Sequence, residues 1–191
     1  MRIIAGQFRS RRLVAPEGLA TRPTSDRLRE TLFNVLQRRI AGAEFADLYA
    51  GSGAVGLEAL SRGARRVHFV ENAKSAVTAL KKNADSLGLK QGVDYRVEMR
   101  GVEAALRAMV AAGVEFDVVF LDPPYEPAVE YEKTLRLLGS LPVLAAGAVV
   151  VAEHARRQVM PVEAGSLVRY RLLEQGDAAL SFYSEDSLAG E

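Results

Sequence analysis

Asp122-Pro123-Pro124-Tyr125 follows directly on the apolar run Val118-Val119-Phe120-Leu121, and the residue types define a particular chemistry. Successive prolines lack N–H donors and have fixed φ, so they cannot extend a sheet and hold a rigid, extended loop. Such a loop directs the Asp122 carboxylate and backbone carbonyls outward, with an aromatic ring just beyond. An amino group on an aromatic ring suits that set. Its two hydrogens reach Asp122 and the Pro123 carbonyl, while Tyr125 stacks on the flat ring. The lone pair of such an amine is delocalised and attacks a methyl carbon poorly. Two acceptors draw the nitrogen toward tetrahedral geometry, so alignment and electrostatics supply most of the acceleration. With a carboxyl pKa of about 4, Asp122 would take the proton late instead of removing it first. The competing reading is a Pro-Pro turn with a capping aspartate.

A second constellation lies upstream, in Asp47-Leu48-Tyr49-Ala50-Gly51-Ser52-Gly53-Ala54-Val55-Gly56. Gly51, Gly53 and Gly56 satisfy G-x-G-x-x-G, whose glycines let the backbone turn tightly and approach a ligand. Glu71 lies about 20 positions on, where an acid can bind ribose hydroxyls. The candidate cofactor residues are Asp47, Tyr49, Gly51, Ser52, Gly53, Glu71 and Asn72. Dinucleotides and S-adenosylmethionine share this pattern, and Asp47 separates them. A carboxylate beside the helix N-terminus repels a pyrophosphate. It attracts the ammonium and sulfonium of S-adenosylmethionine, or orients water and loop amides around them.

The elements that must position these loops follow from periodicity. Apolar runs at about 45–49, 66–71, 94–98, 116–121 and 147–152 read as strands, and 54–62, 73–87, 102–112 and 128–138 as the helices between them. Two further β-like runs, 167–174 and 179–183, follow without a helix between them. The expected fold is α/β: a doubly wound, Rossmann-like, mostly parallel sheet with a C-terminal antiparallel hairpin. A short N-terminal β-hairpin is expected over 2–15, and a helix from about Ser25, striped by Leu28, Leu32, Val35, Leu36 and Ile40, stops at Gly42. The division is a basic hairpin extension (1–24), a catalytic domain (25–185) and a tail (186–191).

Net charge over the 191 residues is only +1, but residues 1–40 hold nine arginines and three acids, so that segment is +6 and the remainder −5. The asymmetry suggests a basic patch on a near-neutral or acidic body; a solvated arginine-rich face is the alternative. Cysteine is absent, which excludes disulfides, thiolate zinc sites and a cysteine nucleophile. No run approaches the roughly 20 apolar residues of a membrane span, and no signal-peptide pattern opens the chain. A cytoplasmic enzyme is the expectation.

Together these segments resemble the family of 16S ribosomal RNA guanine-N2 methyltransferases. The resemblance runs through Arg2 to Gly6, Thr21 to Asn34, Asp47 to Gly53, Gly56 to Ala64, Phe69-Val70-Glu71 and Asp122 to Tyr125. It implies the class I S-adenosylmethionine-dependent methyltransferase fold, S-adenosylmethionine as donor, and methylation of guanine N2 in 16S ribosomal RNA or an assembling 30S subunit. Asp122, Pro123, Pro124 and Tyr125 become the amine-binding loop, and Arg9, Arg11, Arg12, Arg22 and Arg27 the RNA-phosphate contacts. No membrane partner and no metal are expected, and a monomer is. Two segments depart from the family pattern: Met99-Arg100-Gly101, where an acid or amide usually meets the adenine, and Glu174-Gln175-Gly176-Asp177, where a Tyr-Gly pair is usual.

Three other readings compete. An amino methyltransferase acting on adenine N6, transfer RNA or a protein glutamine shares the Asp-Pro-Pro-Tyr loop. An NAD-dependent oxidoreductase shares the glycine loop but leaves Asp122 to Tyr125 unexplained, and a non-catalytic RNA-binding module needs no donor. His68 and His154 read as ordinary polar residues, without a third ligand at metal spacing. Glu126, Glu130 and Glu132 read as a solvated helix start, with 126–131 as a possible lid. Arg22 and Arg29 are placed to pair with Asp26, Glu30 or Glu58.

Overall fold

The computed structural model describes residues 1–16, 24–123 and 128–185. Its elements, in chain order, are α1 (Asp26–Ile40), β1 (Glu44–Leu48), α2 (Ala54–Ser61), β2 (Arg66–Val70), α3 (Lys74–Ser86), β3 (Tyr95–Glu98), α4 (Val102–Ala111), β4 (Phe116–Leu121), α5 (Ala128–Leu138), β5 (Leu144–Ala155), β6 (Glu163–Ala164), β7 (Leu167–Gln175) and β8 (Ala178–Ser184). They match the expected alternation, and the eight strands form one sheet of order β3-β2-β1-β4-β5-β8-β7-β6. The first five strands pair in parallel, and β8, β7 and β6 extend the sheet antiparallel. This is the mostly parallel α/β sheet with an antiparallel C-terminal hairpin that the periodicity predicts. Two details differ: β5 runs twelve residues, beyond the apolar stretch 147–152, and the two-residue β6 carries no periodic signal.

The continuous apolar run of β4 has a direct explanation. Val118 and Phe120 face a core with α1 and α2, while Val119 and Leu121 face a second core with α4 and α5. A strand covered on both sides leaves no polar face. The strand order reverses between β1 and β4, which places the glycine loop and Asp122 on either side of the switch point at the carboxyl edge.

Gly56 sets how closely α2 approaches the sheet. A Cβ there would lie 2.3 Å from Phe69 and 2.7 Å from Val67, so a side chain would push the helix off its strands. At the start of α1, Ser25 caps by accepting the Leu28 amide at 3.1 Å.

The N-terminal hairpin reduces to the Arg2–Arg12 bridge and flanking backbone bonds. It is sewn to the helices below. The buried Glu58 carboxylate accepts the Ile4 and Ala5 amides at 2.7 and 3.0 Å, and Asn83 exchanges two hydrogen bonds with Val14. Ile3 and Leu13 join the main core. Arg29 is fully buried and pairs with Asp26 at 3.0 Å and Glu58 at 3.9 Å, two of the partners its position suggests.

Candidate active site

At the tip of β1, Asp47 is buried and accepts the Gly56 amide at 2.8 Å. That amide belongs to the first turn of α2, whose N-cap Gly53 adopts φ +77°. The carboxylate thus uses its acceptor on the helix N-terminus, the place a phosphate would take. Of the two roles considered for Asp47, the ligand-free structure displays the orientation of a loop amide. Burial, opposed by the Gly56 hydrogen bond and reinforced by Glu71 and Glu153, pushes its carboxyl up to about 8.

Glu71, at the exit of β2, accepts the Gly51 amide and the Ala73 amide, each at 2.8 Å. Both ends of the glycine turn are therefore held by acids from β1 and β2. Ser52 is buried, its carbonyl accepting from Asn83 at 3.0 Å, and Asn72 is exposed just beyond Glu71.

Tyr49 has the unusual φ of +64° for a residue with a side chain. Its hydroxyl donates to Glu130 and lies against Thr134, both at 2.8 Å and both on α5. The ring therefore ties the cofactor loop to the helix that follows the amine loop. Burial holds its phenol neutral, well above its ordinary titration range. Glu130 is consequently half-buried and engaged, not a solvated helix-start residue; Glu132, by contrast, is exposed and pairs with Arg136. Of the lid suggested for 126–131, residues 128–131 belong to α5, where Tyr131 is buried with its hydroxyl donating to the Glu153 carbonyl at 2.9 Å, and residues 126–127 lie outside the described residues.

Asp122 emerges half-buried from β4 and Pro123 is buried; Pro124 and Tyr125 lie outside the described residues. The expectation of an ordinary carboxyl at Asp122 does not hold. Burial first, then the neighbouring Glu153 and Asp47 charges, hold its carboxyl well above the usual range. The linear sequence separates Glu153 from these two acids by 31 and 106 positions, and only the sheet brings them together. Glu153, at the end of β5, was not among the residues expected in the site. It directly follows an apolar run, and nothing local distinguishes it from any other strand-end acid. Its carboxylate accepts the Thr24 hydroxyl at 2.7 Å.

The arginines separate into two groups. Arg27 is exposed in the first turn of α1, three residues from Thr24 and hence at the carboxyl edge. Arg9 lies in the hairpin turn beside Ser61, at the far end of α2, and Arg11 reaches the carbonyl of Ser86 at the far end of α3. Arg12 is exposed in the bridge with Arg2. The structure therefore does not bring Arg9 and Arg11 to the amine loop, and Arg22 lies outside the described residues. His68 bonds Glu44 at 2.7 Å and His154 bonds Ser181 at 2.9 Å. Among the described residues, no helix is long and apolar enough to cross a membrane.

The chain has relatives in sequence and in fold. The family model described as "Conserved hypothetical protein 95" matches residues 1–184. The chain belongs to this family. Ribosomal RNA small subunit methyltransferase D of Escherichia coli (strain K12) is 35% identical over 187 residues, 98% of this chain and 91% of that protein. The structure of hypothetical protein TTHA0928 from Thermus thermophilus superposes with a TM-score of 0.80 at 33% identity, covering 95% of this chain and 98% of that one. A ribosomal protein L11 methylase from Lactobacillus delbrueckii subsp. bulgaricus shares the fold alone, with a TM-score of 0.68 at 17% identity over 94% of this chain and 89% of that one. The fold is that of class I methyltransferases, and relatives of this chain carry methyltransferase names.

Proposed function

We propose that this chain transfers a methyl group from S-adenosylmethionine to the exocyclic N2 amine of a guanine in 16S ribosomal RNA, within naked RNA or an assembling 30S subunit. The observation that carries the reading is the cluster of Asp47, Asp122 and Glu153 at the switch point, with Asp47 and Asp122 both raised by burial first and then by the Glu153 charge they share. A site that crowds buried carboxylates favours a cationic ligand. Because Asp47 already occupies the α2 amide, a pyrophosphate finds that donor taken where it needs it. The NAD-dependent alternative loses its main support at that amide.

Asp47, Tyr49, Gly51, Ser52, Gly53, Glu71 and Asn72 are the residues to hold the donor. When bound, S-adenosylmethionine supplies an electrophilic methyl group on a good leaving group. Asp47 and Glu71 fix the glycine turn through its amides. Asp122 accepts one hydrogen of the amine and the Pro123 carbonyl the other, and Pro124 and Tyr125 complete the loop, the ring stacking on the base. A positive charge beside Asp122 brings its carboxyl back toward the ionised form it needs to accept that hydrogen. The same carboxylate then receives the proton once nitrogen has been methylated. The target base must leave its stack to reach this edge. The similarity to Ribosomal RNA small subunit methyltransferase D supports ribosomal RNA over transfer RNA, DNA or protein acceptors.

The experiment is methyl transfer from labelled S-adenosylmethionine to unmodified small subunits, with naked 16S RNA, large-subunit RNA and DNA in parallel and Asp122→Ala as control. Label recovered as N2-methylguanine, and lost in the variant, is the expected result. Transfer only to large-subunit RNA or DNA would overturn the assignment.

A further inference from the structure

Glu153 is the carboxylate of the cluster with no part in the chemistry above, and its placement is specific. Leu121 of β4 pairs with Ala152 of β5, so Asp122 and Glu153 are the next positions outward on neighbouring parallel strands. Val149 and Val151 face the core shared with α1, and side chains alternate along a strand. Glu153 therefore shares that face and stands beside the amine loop.

The carboxylate is also held. Thr24, 129 residues away in sequence, donates its hydroxyl to Glu153 Oε2 at 2.7 Å, and Tyr131 donates to the Glu153 carbonyl at 2.9 Å. A carboxylate offers about four lone-pair sites, and the Thr24 hydroxyl takes one of those on Oε2, which orients the group. Only 9% of Glu153 is exposed. A buried acceptor of this kind discriminates strongly between donor and acceptor atoms.

Two candidate bases differ at that point. Guanine carries N1–H immediately beside its N2 amine. Adenine carries a lone pair on the ring nitrogen beside its N6 amine. A fixed carboxylate next to the amine loop attracts the first and repels the second. The geometry points to Glu153 as the residue that selects guanine, its carboxylate accepting the ring N1–H while Asp122 and the Pro123 carbonyl take the amine hydrogens. The inference rests on the guanine-N2 reading above and gives it a specificity determinant.

2-Aminopurine is the discriminating probe, since it keeps the N2 amine but replaces N1–H with a lone pair. The target guanine is first mapped with the wild-type protein. Small subunits are then reassembled with RNA ligated to carry either guanine or 2-aminopurine there, and kcat/KM is measured for both. The wild type should prefer guanine by about 10- to 100-fold. Glu153→Gln, whose amide both donates and accepts, should cut that preference at least about tenfold while still binding S-adenosylhomocysteine by calorimetry. Any loss caused by the missing O6 of 2-aminopurine persists in the variant and cancels in the ratio. If Glu153→Gln does not fold, Glu153→Asp withdraws the carboxylate by one methylene and should lower the preference as well. A Glu153 that only anchors Thr24 would slow both substrates alike; an unchanged ratio overturns the inference. A wild type that methylates both bases equally overturns it too and leaves the guanine-N2 reading intact. Wild-type label that never appears as N2-methylguanine overturns both.

Discussion

Asp47 accepts the amide of Gly56 at 2.8 Å across the glycine turn, so the last polar residue of β1 closes the first turn of α2. Burial of that carboxyl couples folding to protonation, and the hydrogen bond opposes the shift in part. Asp47 titrates at about 8 in the folded chain and near 3.8 when exposed. The folded state therefore holds a proton that the unfolded chain releases above about pH 4. The contribution of Asp47 to stability is accordingly fullest at low pH and declines as pH rises toward 8. Asp47→Asn keeps an acceptor for Gly56 and removes the titration. Its melting temperature should exceed that of the wild type by a few degrees at about pH 8, with the gap closing toward about pH 4, a shift of roughly 2–4 °C per kcal/mol. A pH-independent gap would remove Asp47 from this role.

The same proton must leave when a cation arrives. Calorimetry with S-adenosylmethionine should show affinity rising as pH approaches about 8, with proton release detectable as a buffer-dependent heat. Asp47→Asn should bind more weakly and with a flatter pH profile. Equal profiles would place the cation away from Asp47.

Asp122→Ala removes an acceptor that acts where charge develops, so transfer should fall by about 100- to 1,000-fold with little change in donor binding. Its raised carboxyl adds a pH signature: single-turnover transfer at saturating donor should increase with pH until Asp122 is ionised. A rate independent of pH, with full activity in the alanine variant, would leave the amine loop without its acceptor.

Gly56→Ala inserts a methyl group 2.3 Å from the Phe69 ring. Overpacking of this kind costs about 1–3 kcal/mol. Chemical denaturation should show that loss, and donor affinity should fall as the turn shifts. Glu58→Gln tests a different joint: the carboxylate accepts two N-terminal amides and the Arg62 guanidinium at 2.7 Å. Breaking a buried pair costs about 3–5 kcal/mol, and the hairpin amides should lose hydrogen-exchange protection first.

For RNA, removing one phosphate-binding arginine should lower the slope of log affinity against log salt by about one. Neutralising Arg9, Arg11 and Arg12 should weaken RNA binding and flatten that slope. Arg27→Ala, at the carboxyl edge, should in addition reduce transfer at saturating RNA. Filter binding across salt concentrations measures the first effect and single-turnover assays the second. Unchanged binding in the triple variant would assign the hairpin arginines to the fold alone.

Residues that act through their neighbours in the chain were legible without coordinates. Val118 to Leu121 had to be a strand buried on both faces, and the prolines after it had to end that strand. Gly51, Gly53 and Gly56 had to form a turn between a strand and a helix, because their spacing is a local property of the backbone. The stripe Leu28, Leu32, Leu36 and Ile40 likewise defined α1 and its buried face.

Other relationships depend on which strands become neighbours, and no local period encodes that. Leu121 meets Ala152 only because β4 and β5 pair in parallel, and this puts Glu153 beside Asp122, where its charge adds to burial in raising both Asp122 and Asp47. Arg9 and Arg12 are alike in sequence, yet docking on Glu58, Ser61 and Asn83 sets the hairpin turn against the far end of α2. Burial and charge proximity are properties of assembled surfaces. The chain order therefore determined the elements and the loops that bear the chemistry, and the tertiary structure decided which acids share one low-dielectric edge.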